Sequence, residues 1–297
     1  MDMAASVLAK LKNKAKASGI SYQQCLQLFF QEEFLRKLAA SKYAENFILK
    51  GGLFIYTLTN FESRATVDVD FLMRGLNNDL ERMDEIISDI LSVETGNDFV
   101  SFKASKTEPI AVQRKYHGVS TQITGYIKNV RVPFNVDIGV GDVIVPKAER
   151  RSIRTQLDDY NSPEILTYSL ESTIAEKFDA ILQRFELTGR MKDFYDIYYL
   201  SQTFNFDGLK LQTAISETLQ NRGTAYEKDS FNRILALADD ADMQIKWRHF
   251  LKTLNNPDMD FAEVIESIKT FLHPVWIEII NENEFLKNWD SENKNWK

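Results

Sequence analysis

FILKGGLFIYTLTNFESRATVDVDFLMR, residues 47–74, is the stretch on which the reading of the fold turns. Phe47 to Lys50 form a run of apolar or aliphatic-stemmed residues that leads into Gly51-Gly52. An amphipathic segment follows, then Arg64 and Thr66, and then Asp68-Val69-Asp70 inside a second apolar run. In a strand, side chains alternate between faces, so Asp68 and Asp70 project together while Val67, Val69 and Phe71 point the other way. One face is thereby buried and the other carries two carboxylates side by side. Like charges at that spacing repel unless a cation lies between them. A hard divalent ion held by oxygen is the usual remedy, with Mg²⁺ favoured where substrate phosphates complete its shell and Mn²⁺ as the alternative. The glycine pair falls where a strand hands over to a helix, a place where bare backbone N–H groups attract anions. An Asp-x-Asp triplet alone also occurs at ordinary strand ends; its weight here comes from the glycines and the Arg64-x-Thr66 that precede it.

Downstream, residues 78–93 repeat Leu80, Met83, Ile86, Ile87, Ile90 and Leu91 at helical intervals. The period then changes to that of strands. Residues 99–104, 119–127 and 130–140 are rich in β-branched and aromatic side chains, the last two joined at Lys128-Asn129 as a hairpin. The expectation is an α+β protein with a mixed sheet flanked by helices. In the last of these strands Asp137 stands between Val136 and Ile138. Facing inward, its carboxylate requires a partner or a metal; facing outward, it is an ordinary solvated side chain.

Residues 146–156, PKAERRSIRTQ, hold the densest positive charge of the chain, with Lys147, Arg150, Arg151 and Arg154. The stretch reads either as a solvated connector or as a contact for a polyanion on an exposed loop. From Pro163 the pattern becomes helical, with Ser169 as N-cap and Leu170, Ile174, Phe178, Ile181, Leu182 and Phe185 on an apolar face that Gly189 closes. Lys177 borders that face, where a lysine commonly snorkels to water. A second helix begins KDFYDIYYL and sets Asp193 and Asp196 on one side; carboxylates at a helix start also favour its dipole.

The glycine pair followed by Asp-x-Asp resembles the first motif of the DNA polymerase β-like nucleotidyltransferase superfamily. More narrowly, KGG with RxTxDxDF, then AEK and KDxYD, looks like the AbiEii/AbiGii toxin family, over roughly residues 47–200. The resemblance implies a polymerase β-like fold in which Asp68, Asp70 and Asp137 hold Mg²⁺. It implies that Gly51, Gly52, Arg64 and Thr66 receive an NTP, that Lys177 is the cation on its triphosphate, and that Asp193 or Asp196 orients that lysine, the nucleotide or the acceptor. It further implies a toxin of a type IV, AbiE-like toxin–antitoxin pair in phage defence, with a cognate antitoxin and RNA, such as a tRNA 3′ end, as acceptor. The alternatives are a non-catalytic module that binds nucleotide or antitoxin, and an aminoglycoside-type small-molecule nucleotidyltransferase. Gly52 departs from the many superfamily members that carry serine there, which leaves phosphate binding to backbone amides.

Upstream, residues 3–45 read as helices, with Gly19 breaking the first and Ser21 with Gln24 as a capping box for the next. Leu26, Phe29, Phe30, Phe34 and Leu35 form a core stripe. The 297 residues are 44% hydrophobic and 27% charged, with a net charge of −7, an ordinary globular composition that argues against a simple nucleic-acid coat. The single cysteine, Cys25, excludes an intrachain disulfide and reads as a core residue. No run is long enough to span a bilayer, and a cytoplasmic location is the default. The three histidines lack zinc-ligand spacing. Beyond Thr203 the chain reads as helical scaffold that ends at Pro274, with a frayed tail. The expected layout is therefore an N-terminal helical segment at 1–45, a catalytic domain at 46–145, a basic linker at 146–162 and a helical domain at 163–297.

Overall fold

Alternation makes strands of the two apolar runs around the glycine pair, and the chain brings them together as antiparallel neighbours. Strand β1 (Phe47–Lys50) lies against β2 (Val69–Met73), with Lys50 opposite Asp70. The computed structural model describes residues 2–110, 117–185, 189–254 and 258–297. The chain divides into two compact units. The first runs from the N-terminus to Gly141 and from Ala148 to Tyr168; the second comprises Asp142–Lys147 and Ser169–Lys297.

The first unit opens with α1 (Met3–Ser18) and α2 (Tyr22–Ala40). Gly19 ends α1 in the left-handed conformation, and Ser21 with Gln24 forms the capping box that starts α2. After β1 come α3 (Gly51–Leu58), β2, α4 (Leu80–Ser92), β3 (Ser101–Ala104), β4 (Glu108–Ile110), β5 (Gly118–Ile127), β6 (Val130–Gly139), β7 (Glu149–Ser152) and β8 (Glu164–Thr167). Among the described residues these strands form one sheet in the order β3-β5-β6-β2-β1-β8-β7, with β4 beside β5. The pairs β2–β6 and β1–β8 are parallel and the others antiparallel, so the sheet is mixed. The α+β class read from the sequence holds.

Val69, Phe71, Val136 and Ile138 are fully buried, as the alternation requires. Phe34 of α2 packs its ring against Phe71 at 6.1 Å and Phe134 at 6.3 Å. The aspartates alternate to the other face. Helix α2 is buried along its whole length from Cys25 to Leu38, so its polar residues must find partners inside the protein. Arg36 pairs with Glu33 at 2.6 Å, donates to the Asn161 carbonyl at 2.9 Å and stacks on Tyr160. Lys37 donates to the Val93 carbonyl at 2.5 Å. With Arg36 matched to Glu33, burial pushes the Glu32 carboxyl up to about 8, against the opposing pull of Arg36 and of the Gln156 N–H it accepts at 2.8 Å. Burial also raises the Cys25 thiol, which suits a core residue.

The second unit contains α5 (Leu170–Leu182), α6 (Met191–Thr203), β9 (Phe206–Asp207), α7 (Gly208–Arg222), α8 (Ser230–Ala236), α9 (Ala241–Thr253), α10 (Phe261–Ile280), β10 (Asn288–Asp290) and β11 (Asn295–Trp296). Arg222 on α7 gathers Asp142, Glu176 and Asp179 at 2.7–2.9 Å. Among the described residues no helix is long and apolar enough to cross a membrane.

The structure differs from the sequence reading at several places. The 1–45 helices belong to the same unit as the sheet. Residues 146–162 are not a free connector, because they include the edge strand β7, and β8 precedes the first helix after Pro163. Helix α5 ends at Leu182, ahead of Gly189. Helix α10 runs through Pro274, since Val275 and Trp276 continue its buried face. The tail does not fray: β9, β10 and β11 form a small sheet on which Trp289 and Trp296 pack against Phe271 at 4.9 and 5.7 Å.

Candidate active site

Parallel pairing of β2 with β6 places Asp70 directly across from Asp137. In-register neighbours point to the same face, so the two carboxylates stand side by side by virtue of the backbone alone. Asp68 lies one residue before β2, and Asn135, two positions before Asp137, donates from Nδ2 to Asp68 Oδ1 at 3.4 Å. On the far side of β6, Ser120 of β5 donates to Asp137 Oδ1 at 2.5 Å. Sequence reading passed over Ser120 and Asn135. The signal for Ser120 was present: counting outward from the two-residue turn at Lys128-Asn129, residue 120 falls opposite 137.

Gly51 and Gly52 open α3 immediately after β1. Gly51 has φ +67°, and a Cβ there would overlap the Asp70 carboxylate, lying 2.7 Å from its Cγ. Bare backbone at the head of a helix is thus pressed against one of the paired acids. A Cβ on Gly52 would lie 2.9 Å from Thr66 Oγ1 and Cβ and 3.4 Å from Arg64 Nη1. The space that a serine would need at residue 52 is therefore filled by Thr66, whose hydroxyl brings an oxygen to the turn. Lys50, opposite Asp70, extends its ammonium over the Tyr168 ring at 5.2 Å.

The donors on this face are all oxygen, two in register and a third beside them, which fits Mg²⁺ or Mn²⁺. Among the described residues no three His, Cys, Asp or Glu side chains close into a metal cage by themselves. Mg²⁺ does not require one: it is commonly held by one or two carboxylates with substrate phosphates supplying the rest.

In the second unit, Lys177 on α5 is buried between two carboxylates of α6, 3.0 Å from Asp193 Oδ1 and 2.9 Å from Asp196 Oδ2. Arg190 Nε lies 2.6 Å from Asp193 Oδ2, close enough for an ion pair but without hydrogen-bond alignment. Lys177 is thus no snorkelling surface residue, being 8% exposed. Asp193 and Asp196 both bind it, so one does not displace the other in that role. A cavity of about 640 Å³ elsewhere in this unit, lined in part by Phe231, His273 and Trp276, contains none of these groups.

The arginines of the basic stretch are engaged within the first unit. Arg150 pairs with Glu45, Arg151 with Glu149 at 2.6 Å and the Tyr168 carbonyl at 2.9 Å, and Arg154 with Asn60 at 2.8 Å.

Comparison with known proteins adds a family to this geometry. The sequence profile described as Nucleotidyl transferase AbiEii toxin, Type IV TA system, matches residues 33–272. Among solved structures, the chain is similar to MenT4, the nucleotidyltransferase toxin Rv2826c from Mycobacterium tuberculosis H37Rv, at 15% identity and a TM-score of 0.56, covering 91% of this chain and 98% of that one. It is also similar to JHP933 from Helicobacter pylori, at 14% identity and a TM-score of 0.49, covering 88% and 95%. Among curated proteins none matches the sequence.

Proposed function

The chain belongs to the AbiEii nucleotidyltransferase toxin family, and on that premise we propose that it transfers a nucleotide from an NTP to RNA, with the 3′ end of tRNA as the first acceptor to test. The observation that carries the reading is the register pairing of Asp70 with Asp137 beside the bare Gly51 backbone. Asp68, Asp70 and Asp137 would hold Mg²⁺, or Mn²⁺ in its place. When bound, such an ion neutralises phosphate charge and lowers the cost of ionising an acceptor hydroxyl. The chain's own residues position the reactants. The amides of Gly51 and Gly52 face the phosphates, Arg64 and Thr66 flank that turn, and Ser120 donates to one oxygen of Asp137. By family resemblance Lys177 is the cation for the triphosphate, with Asp193 and Asp196 orienting its ammonium.

Membership of a toxin–antitoxin family implies a cognate antitoxin protein; neutralisation by it, a cytoplasmic location and a part in phage defence complete the proposal. The test is incubation of the purified protein with each labelled NTP in turn, Mg²⁺ and total tRNA. Labelled tRNA is expected with at least one NTP, and label lost on chelation. Failure to label tRNA or any other RNA with any NTP, while a non-RNA acceptor is labelled, would overturn the RNA assignment; failure with every acceptor would overturn the transfer itself. Growth inhibition that survives Asp70→Asn in a folded protein would favour a binding module instead.

A further inference from the structure

Val67 is an apolar side chain left 58% exposed, one residue ahead of Asp68 and outside the pairing that begins β2 at Val69. Its carbonyl is nevertheless bound twice. Gln27 Nε2 donates to it at 2.7 Å and Gln31 Nε2 at 2.8 Å. The two glutamines are one helical turn apart on α2 and are 9% and 1% exposed. Two donors converging on one carbonyl occupy both of its lone-pair directions, which leaves it little freedom to tilt.

We propose that Gln27 and Gln31 are positioning residues for Asp68, a role that rests on the reading of the aspartate face as a metal site. The Val67 carbonyl and the Asp68 nitrogen belong to one planar peptide unit, so clamping the oxygen fixes the plane from which Asp68 departs. On its other side Asp68 is followed by Val69, which is paired to Val136. The residue is therefore held at both ends, and the direction of its Cβ is set. Asp70 needs no such clamp, because Lys50 and Asp137 flank its backbone in register. The two amides do for the acid outside the strand what pairing does for the acid inside it. Both glutamines lie ahead of residues 33–272, so the family match does not extend to them.

The experiment combines Gln27→Leu and Gln31→Leu, singly and together, with Asp68→Asn. Mn²⁺ alone is titrated into each folded protein and free ion followed by electron paramagnetic resonance; Mg²⁺ half-saturation of nucleotide transfer is the second readout. The double leucine variant is expected to bind Mn²⁺ about tenfold more weakly, as is Asp68→Asn, and the triple variant no more weakly than Asp68→Asn alone, since both act through one carboxylate. Each single variant keeps one donor and is expected to shift binding by about threefold or less; these also serve should the double variant not fold, Gln31→Leu then showing a measurable shift. Additive losses in the triple variant, or unchanged Mn²⁺ binding in a folded double variant, would overturn the role. A wild type that binds Mn²⁺ yet labels no acceptor would instead overturn the proposed transfer and leave the positioning role standing. A wild type that binds no Mn²⁺ would overturn both the metal site and this role.

Discussion

Asp70 and Asp137 stand together because two strands pair in register; Asp193 and Asp196 stand together because they are one turn apart on α6, and an ammonium lets both be buried there. The first pair is fixed by main-chain hydrogen bonds that do not depend on what the side chains carry. The second is fixed by charge balance inside a helical unit, where Asp193 is 0% and Asp196 1% exposed. Removing a carboxylate from the sheet face should therefore cost chemistry and spare the fold. Removing the lysine should cost the fold first, because two buried acids lose the counter-charge they share, with Arg190 left to face Asp193.

The widest separation is expected at Asp70→Asn. Nucleotide transfer should fall by about a thousandfold, the loss of several kcal/mol of charge stabilisation, while the thermal midpoint stays within about 2 °C of wild type. Single-turnover labelling and a circular-dichroism melt measure the two; a melt that collapses with activity breaks the comparison. Next comes Lys177→Met, expected to destabilise by roughly 3–5 kcal/mol in urea unfolding. The same protein with Asp193→Leu and Asp196→Leu added should recover much of that stability, since no buried carboxylate is then stranded and Arg190, 36% exposed, can turn to solvent. Stability untouched by Lys177→Met would show that the helical acids do not depend on it.

Gly51→Ala tests where backbone and side chain meet. The left-handed conformation costs a non-glycine residue about 1–2 kcal/mol, and the added methyl must displace the Asp70 carboxylate. Transfer should drop by about a hundredfold, an amount consistent with a misplaced ligand, with only that modest stability loss. Glu32 supplies the mildest case, an acid held by neither register nor a dedicated cation. Its folded form keeps a proton up to about pH 8, whereas its ordinary value is 4.5. The folded state therefore holds the extra proton between those values, and this group's contribution makes stability fall as pH rises through that window, then level off above it. Glu32→Gln should flatten a slope on the order of 1 kcal/mol per pH unit between pH 6 and 7.5, read from urea midpoints; an unchanged slope would place the titration elsewhere.

What could be read from the chain beforehand followed local periodicity. Val69 and Phe71 against Asp70 announced a strand and its two faces, although Val67 and Asp68 lie ahead of it and Val67 is exposed rather than buried; Ser21 with Gln24 announced a helix start, and Lys128-Asn129 announced a hairpin. Strand β7 escaped because Glu149, Arg150 and Arg151 on a sheet edge look like a solvated loop; only pairing with β8 reveals them. The tail strands are too short for a pattern, and Pro274 resembles a stop until the burial of Trp276 is seen. Gln27 and Gln31 lie in a helix whose aromatic stripe signals core, and nothing local says that both reach the same carbonyl. That Asp70 and Asp137 are partners depends on a parallel pairing across the chain segment between them, which sequence spacing does not encode.

The same pairing sets an order of events during synthesis. A ribosome making this protein releases Asp70 long before residue 137 has left the exit tunnel, so a nascent or truncated product holds one of the two acids and lacks its neighbour.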